Sequence, residues 1–182
     1  YHESRIEGDY VGNLTRGCII SRLKVMRSQE QSTYSYRNYE PPMFPPDLST
    51  SSRYNVDESI PHLNSSWREK ICLWSFSVVD HFDLSRDVVA VSMSLFDRFL
   101  ATRGNRCNGS TARLASLAVL HIAIKVNEVR RIKLGTLANF SRGQFAPRDI
   151  EEMEWNVLTT LEWKIHPPTS MSFVSHLLLL LP

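Results

Sequence analysis

The sequence predicts an all-α protein, a helical bundle packed around one central helix. From Asn64 onward the apolar residues recur every three or four positions, the period of an amphipathic helix. No stretch alternates apolar and polar residues as a half-buried strand does, and no internal repeat is visible. The 182 residues are 42% hydrophobic and 22% charged, which is enough for one domain with a real core plus additional sequence.

The first 63 residues are expected to form a mostly flexible segment. Their apolar residues show no sustained period, and the stretch 27–55 is rich in Ser, Tyr, Pro and Arg. Such a composition buries too little apolar surface to offset the entropy of ordering. Pro41–Pro46 is interpreted as a spacer, with a short docking motif as the alternative. The basic residues of this segment are interpreted as a solvated face, with nuclear import or nucleic-acid binding as the alternative. They are Arg16, Arg22, Lys24 and Arg27.

The first two predicted helices cover residues 67–82 and 85–102. Ser65 and Ser66 are candidate N-caps of the first helix, whose apolar residues fall on two faces. Such a helix is either deeply buried or docks a partner with one of these faces. The second helix carries Asp87 in its first turn, where the helix dipole favours a carboxylate, and Gly104 supplies a stop signal.

The third predicted helix, residues 110–126, is apolar nearly all round, and its alanines allow neighbouring helices to approach closely. A helix of this kind belongs at the centre of a bundle. A short fourth helix at 132–140 precedes a fifth that starts at Pro147 and ends before Pro167. The final leucine run is far shorter than the ~20 residues of a membrane span, so we expect a further helix in a chain fragment.

Charged residues interrupt three of the apolar faces. Asp97 and Arg98 lie in the middle of the second helix, Lys125 lies at the end of the third, and Glu154 lies within the stripe of the fifth. Buried ionisable groups are costly unless they are paired. Asp97 is therefore expected either at a solvent boundary or beside a partner elsewhere in the chain. Lys125 and Glu154 either extend to solvent at helix edges or meet a partner protein.

Enzymatic chemistry is not expected. The chain shows no phosphate-binding glycine loop, no histidine pair at helical spacing and no nucleophile elbow. His121 is interpreted as a hydrogen-bonded core histidine rather than a metal ligand, and no metal or cofactor is expected. The three cysteines lack metal-ligand spacing and indicate a reducing compartment. A net charge of +2 gives no reason to expect a membrane surface or nucleic acid as a partner.

Three stretches together resemble the cyclin box. Residues 67–100 (WREKICLW…LFDRFL) resemble its first two helices, 114–128 (LASLAVLHIAIKVNE) its central helix, and 148–169 (RDIEEMEW…KIHPPT) its closing helix. They follow the family's order and spacing. The resemblance implies a five-helix cyclin box at 64–169, after a flexible segment at 1–63. It also implies that 170–182 is the truncated start of a C-terminal cyclin fold.

The resemblance implies a regulatory subunit that forms a heterodimer with a cyclin-dependent protein kinase, activates it in the cell cycle, and is found in the nucleus or cytoplasm. Lys125 and Glu154 match the family's kinase-binding Lys and Glu. Arg68 and Asp97 match a structural ion pair within the box, which leaves Arg98 at the surface rim. The alternatives are a nucleic-acid-binding core like that of transcription factor IIB, and a cyclin-fold scaffold that activates no kinase.

The resemblance also implies a docking patch for substrate peptides on the first helix. The matching residues are Trp67, Lys70, Ile71, Trp74 and Ser77. Lys70 and Ser77 stand where the family carries an apolar residue and an acid. The acid attracts a cationic peptide residue in the family, so we expect this patch to prefer apolar peptides with neutral or acidic flanks.

Overall fold

A computed structural model describes residues 3–35, 65–103 and 109–181 of the chain. Within these ranges the chain forms seven α-helices and no strand, which confirms the all-α prediction. The helices are α1 (Glu3–Gln31), α2 (Ser65–His81), α3 (Asp87–Arg103), α4 (Gly109–Asn127), α5 (Leu134–Asn139), α6 (Pro147–Thr160) and α7 (Ser170–Leu178). The chain divides into two compact units, Tyr36–Ile165 and Tyr1–Ser35 together with His166–Pro182.

Helix α4 is the centre of the unit Tyr36–Ile165, which contains the five helices α2–α6. It contacts α2, α3, α5 and α6. Four alanines with no exposed surface let these neighbours approach its backbone closely: Ala112, Ala115, Ala118 and Ala123. The helix is long and apolar enough to cross a membrane, but 67% of that stretch is buried inside the protein, as in a core helix.

Large side chains of the neighbouring helices fill the space around α4. On α3, Phe96 and Phe99 are 1% and 0% exposed, and on α6, Ile150 and Val157 are both fully buried. Full burial of one such side chain contributes roughly 1.5–3 kcal/mol to the stability of the fold. The apolar stripes of α3 and α6 therefore face α4. The charged residues of α3 and α6 lie near the edges of these contacts.

Polar contacts close the connections between these helices. The Ser85 backbone N–H, in the turn between α2 and α3, donates to Glu128 Oε1 at 2.9 Å. Arg130 Nη1 donates to the carbonyl of Phe82 in the same turn at 3.1 Å. At the start of α6, the Asp149 carboxylate accepts the Ala146 N–H at 2.7 Å. These bonds satisfy backbone groups that have no partner within a helix.

The unit formed by Tyr1–Ser35 and His166–Pro182 differs from the expected flexible segment, because Glu3–Gln31 is helical. Ile19, Leu23 and Met26 are spaced four and three residues apart, and all are at least half-buried. Helix α1 contacts α7 within this unit, and Arg16 Nη2 donates to the Leu180 carbonyl at 3.1 Å. Contacts with residues distant in sequence thus help to order a segment in which only a short stretch has a helical apolar pattern. Residues 36–64, including the proline-rich stretch, lie outside the described residues.

Arg68 of α2 and Asp97 of α3 form a bidentate ion pair. Arg68 Nε lies 2.8 Å from Asp97 Oδ1, and Nη2 lies 2.7 Å from Oδ2. The Asp97 side chain is 10% exposed and that of Arg68 is 51% exposed. The carboxylate therefore sits at the edge of the core and the guanidinium closes it from solvent.

The expectation that Arg98 lies at the surface rim is wrong. Arg98 is 8% exposed, and its Nη1 donates to the carbonyl of Lys164 at 2.7 Å. This carbonyl follows a turn in which Glu162 and Trp163 adopt left-handed backbone angles, with φ of 52° and 59°. The turn ends α6 and directs a free carbonyl to α3, where the guanidinium satisfies it.

Replacing Arg68 or Asp97 by alanine is predicted to lower the free energy of unfolding by about 1–2 kcal/mol each. The double variant should lose less than the sum of the two, because either single change already breaks the pair. Urea denaturation of the four proteins measures the coupling. The exposed pair Asp80–Arg86 is a matched control that should give nearly additive losses. Additivity at Arg68 and Asp97 as well would contradict a stabilising pair.

Candidate functional site

The structure brings together two of the charged residues that interrupt the apolar faces, Lys125 and Glu154. Lys125, in the last turn of α4, places its Nζ 2.7 Å from Oε2 of Glu154, in the middle of α6. The Lys125 side chain is 39% exposed, whereas that of Glu154 is 8% exposed. The pair thus has a buried acid and an ammonium that reaches solvent, so that Lys125 is the member available to another molecule.

His121 is the third member of this site. It lies one turn before Lys125 on α4, and its Nδ1 is 2.5 Å from the other carboxylate oxygen of Glu154, Oε1. Its Nε2 is 3.1 Å from the carbonyl of Ile132, in the segment before α5. The ring is a buried, hydrogen-bonded core histidine, as expected, but sequence reasoning missed its contact with Glu154. The one available signal was its four-residue spacing from Lys125.

The surroundings of Glu154 shift its ionisation. Burial by itself raises the pKa of this carboxyl, but hydrogen bonds and positive charge from His121 and Lys125 outweigh burial. The pKa therefore lies below the ordinary glutamate value of 4.5. Glu154 is a carboxylate at neutral pH, held between two donors from one face of α4.

A groove of about 360 Å³ opens between α2 and α4, on the face that carries the expected docking patch. Its apolar walls are Trp67, Trp74, Phe140 and Phe145. The remaining lining residues are Lys70, Ile71, Arg113, Ser116, Leu117, Ser141, Arg142 and Gln144. We call this the α2–α4 groove.

The α2–α4 groove differs from the expected patch in two positions. Ile71, expected on the outer face, is 6% exposed and forms the floor as part of the core. Ser77 does not line the groove, and its hydroxyl donates to the carbonyl of Trp74 at 2.7 Å. The groove gains Arg113 and Arg142, which sequence reasoning missed because α4 and the segment after α5 lie far from α2 in the chain.

Three cations and no carboxylate line the α2–α4 groove. The Arg113 guanidinium lies 5.6 Å from the ring centre of Trp67, and its Nε donates to the Gly109 carbonyl. The side chains of Lys70 and Arg142 have no hydrogen-bond or ion-pair partner among the described residues. The groove is therefore aromatic and electropositive.

Two exposed indoles, on Trp155 in α6 and on Trp163 in the turn after it, were also missed by sequence reasoning. Trp155 directly follows Glu154 and is 63% exposed, and Trp163 is 57% exposed. Their rings meet edge to face, with centroids 5.9 Å apart. Trp155 falls outside the apolar stripe of α6, so periodicity gave no reason to select it.

In the described part of the chain, no group of three or more His, Cys, Asp or Glu side chains could hold a metal ion.

A comparison with protein families identifies this chain as a cyclin. The family model described as "Cyclin, N-terminal domain" matches residues 46–166. That range contains Lys125, Glu154, His121, the Arg68–Asp97 pair and the whole α2–α4 groove.

Curated relatives include cyclins from plants, yeast and fish. Over 113 residues the chain is 34% identical to cyclin-D3-3 of Arabidopsis thaliana, covering 61% of this chain and 31% of that protein. It is 30% identical over 125 residues to S-phase entry cyclin-5 of Saccharomyces cerevisiae, covering 68% and 28%. It is 28% identical over 120 residues to G1/S-specific cyclin-E1 of Danio rerio, covering 66% and 29%. The matched region spans about a third of the length of these relatives.

In the Glu154→Gln variant, the free energy of unfolding is predicted to fall less than in the wild type as the pH is lowered. A carboxyl with a lowered pKa in the folded state stabilises the fold above its ordinary pKa of 4.5, and this contribution disappears as the pH falls through the folded value. The difference in unfolding free energy between wild type and variant should therefore shrink from about pH 6 to about pH 3. Thermal denaturation across this range measures it.

The matched control is Glu152→Gln, which changes an exposed glutamate on the same helix. The difference in unfolding free energy between this control and the wild type should stay nearly constant over most of this pH range. If the Glu154→Gln difference were constant from neutral to acid pH, the ionised carboxylate would not stabilise the fold.

Proposed function

Because this chain belongs to the cyclin family, we propose that it binds and activates a cyclin-dependent protein kinase as a regulatory subunit in the cell cycle. The observation that carries the proposal is the Lys125–Glu154 pair, which joins a reachable ammonium to a buried carboxylate. These positions match the Lys and Glu with which the family binds its kinase. The matched region is about a third of its relatives' length, so the proposal concerns this box.

The geometry of Lys125 suits the recognition of a partner's backbone. Its ammonium has three N–H donors, and Glu154 accepts one of them. The side chain is 39% exposed, so the remaining donors can reach carbonyl groups of a docked chain. Glu154 is too buried to be the main contact, and its part is to hold Lys125 in place.

Trp155 and Trp163 offer further apolar area on the same compact unit. Large aromatic side chains dominate the binding energy of protein interfaces, and both indoles are more than half exposed. Trp155 follows Glu154 in the sequence of α6, and a large partner that contacts Lys125 would bury these rings if it also covered the outer side of this helix.

The proposed mechanism is allosteric, and this chain itself carries out no chemistry. A protein kinase is active when the glutamate of its mobile regulatory helix pairs with the lysine that contacts ATP. A subunit that binds the kinase only when this helix is turned inward shifts the population toward the active state. Lys125 would supply the contact that distinguishes the two orientations.

Lys125→Ala is predicted to weaken binding to a cyclin-dependent kinase by roughly thirtyfold while the domain stays folded. Lys125 is partly exposed, so its removal deletes an interface contact without opening the core. Surface plasmon resonance against a panel of purified cyclin-dependent kinases measures the affinity. Circular dichroism checks the helical content.

The control is the double variant Arg148→Ala, Glu152→Ala, which removes an exposed ion pair from the same helix as Glu154. It should bind like the wild type. Wild-type affinity of Lys125→Ala would overturn the assignment of this site. If the unchanged chain bound none of the panel, kinase regulation would be contradicted in favour of a scaffold with a cyclin fold.

We further propose that the α2–α4 groove binds an extended peptide with apolar side chains flanked by acidic residues. The aromatic walls accept apolar side chains, and the charges of Lys70, Arg113 and Arg142 complement carboxylates. A cationic peptide would meet like charges at three positions, which costs binding energy. The preferred ligand thus has the opposite charge to the cationic peptides that the family's docking patch attracts.

Fluorescence anisotropy with two matched peptides tests this groove. A peptide with Glu beside a Leu-x-Phe core should bind at least ~5-fold more tightly than the same peptide with Arg in that position. The double variant Lys70→Glu, Arg142→Glu should reverse the order. Arg131→Glu, outside the groove, is the matched charge control and should leave it unchanged. A preference of the wild type for the Arg peptide would contradict the proposal.

A further inference from the structure

We infer that the α2–α4 groove recognises a phosphorylated peptide, in which Lys70, Arg113 and Arg142 bind the phosphate of a phosphoserine or phosphothreonine and the aromatic walls hold a neighbouring apolar side chain. This inference rests on the peptide-binding function proposed above for the groove, and it adds the chemical group that the three cations bind.

The positive charge of the groove exceeds what one carboxylate neutralises. Lys70, Arg113 and Arg142 each carry one positive charge, and none of the described lining residues is an acid. A glutamate or aspartate of a ligand brings a single negative charge and two acceptor oxygens. A phosphomonoester brings about −1.5 to −2 charges at neutral pH and three acceptor oxygens. The phosphomonoester therefore matches the three cations better than a carboxylate does.

Arg113 has the geometry that phosphate recognition requires. Its guanidinium lies 5.6 Å from the ring centre of Trp67, and its Nε donates to the Gly109 carbonyl at 3.3 Å. These two contacts restrict the orientation of the planar group and leave its two terminal nitrogens as donors to a ligand in the groove. A guanidinium can donate two parallel hydrogen bonds to a phosphate, which fixes the position of the phosphate as well as its charge.

A tight turn after α5 brings a second guanidinium to the groove. Arg142 has a φ of 54°, and the next residue, Gly143, has a φ of 77°. A residue other than glycine is uncommon in this left-handed region and stays there only where the surrounding structure imposes it. Here the Arg142 N–H donates to the Asn139 carbonyl and the Gln144 N–H donates to the Ser141 carbonyl, both at 3.1 Å. The backbone thus holds Arg142 at the groove wall.

The serine hydroxyls of the groove are already used as donors. The Ser116 hydroxyl donates to the Arg113 carbonyl at 2.7 Å, and the Ser141 hydroxyl donates to the Ala138 carbonyl at 2.6 Å. Because a hydroxyl has one hydrogen, neither serine has a donor left for a ligand oxygen. Recognition of an anion therefore depends mainly on the three cations.

The rest of the groove favours a peptide over a nucleic acid. A single-stranded nucleic acid needs cations that follow its backbone over several nucleotides, and each of its phosphates carries one charge. Here the cations line one cavity of about 360 Å³ together with four aromatic side chains. A phosphorylated residue next to a leucine or phenylalanine would occupy both parts of this cavity. The aromatic side chains are Trp67, Trp74, Phe140 and Phe145.

Fluorescence anisotropy with four matched peptides tests the phosphate. The peptides share a Leu-x-Phe core and carry phosphoserine, Ser, Glu or Arg beside it. The wild-type chain should bind the phosphoserine peptide at least ~5-fold more tightly than the Glu peptide, and at least ~20-fold more tightly than the Ser peptide. A preference for Glu over Arg with no gain from phosphoserine would overturn this inference and leave the acidic-peptide groove intact. A preference for the Arg peptide would contradict both.

The double variant Arg113→Lys, Arg142→Lys separates phosphate recognition from charge. It keeps all three positive charges, so its affinity for the Glu peptide should stay within about twofold of the wild type. It loses both guanidinium groups, so the advantage of phosphoserine over Glu should fall below about twofold. Arg131→Lys, at an exposed position outside the groove, is the matched control and should keep the full advantage. An undiminished advantage in the double variant would overturn the assignment to the two arginines.

A variant at an exposed position of α2 tests the third cation without touching α4. Lys70→Gln should weaken binding of the phosphoserine peptide by about fivefold, because one of the three charges is lost. Circular dichroism checks that each variant keeps its helical content. Unchanged affinity of Lys70→Gln would contradict its part in binding the phosphate.

Two further probes distinguish the sources of the phosphate. Inorganic phosphate should displace the phosphoserine peptide only at concentrations at least ~10-fold above those of unlabelled peptide, because it makes no contact with the aromatic walls. Equal displacement would indicate a site for a free anion only. A labelled single-stranded oligonucleotide of about six nucleotides should bind more weakly than the phosphoserine peptide. Equal displacement by inorganic phosphate, or tighter binding of the oligonucleotide, would overturn the peptide as the occupant.

Discussion

The enclosure of α4 is the constraint on which the unit Tyr36–Ile165 depends. A helix that is apolar nearly all round gains stability only when neighbours cover every side, and α2, α3, α5 and α6 all contact it. Fully buried alanines bring these neighbours close to its backbone. The positions of the other helices, and of the turns between them, follow from the need to cover this one element.

Enclosure leaves little room for charged groups around α4, and one ionic cluster lies at the end of this helix. His121 lies inside the core, Lys125 lies where α4 emerges, and Glu154 reaches across from α6 to contact both. A buried carboxylate is tolerated only when donors replace its lost hydration. A buried ionic cluster often stabilises a fold less than well-packed apolar side chains of similar volume would. Its presence beside the core is therefore consistent with the binding role proposed above.

The same unit presents two surfaces with different chemistry. Lys125 offers an exposed positive charge and Trp155 and Trp163 offer exposed apolar area, and both features suit a large protein partner. The α2–α4 groove combines aromatic walls with three cations, which suits a short acidic segment. Because α4 contributes Lys125 to one surface and Arg113 to the other, packing of this helix positions both.

The sequence by itself determined the helical class, the central place of α4 and the positions of the costly charges, because helical periodicity is a local property. Lys125 and Glu154 could be selected since a charge within an apolar stripe is visible without a partner. Only the tertiary structure decided what each charge meets. Arg98 is buried because a left-handed turn after α6 directs the Lys164 carbonyl toward it. His121 meets Glu154 across 33 residues, and Arg113 joins a groove begun by α2, because contacts between helices depend on packing that no local pattern records.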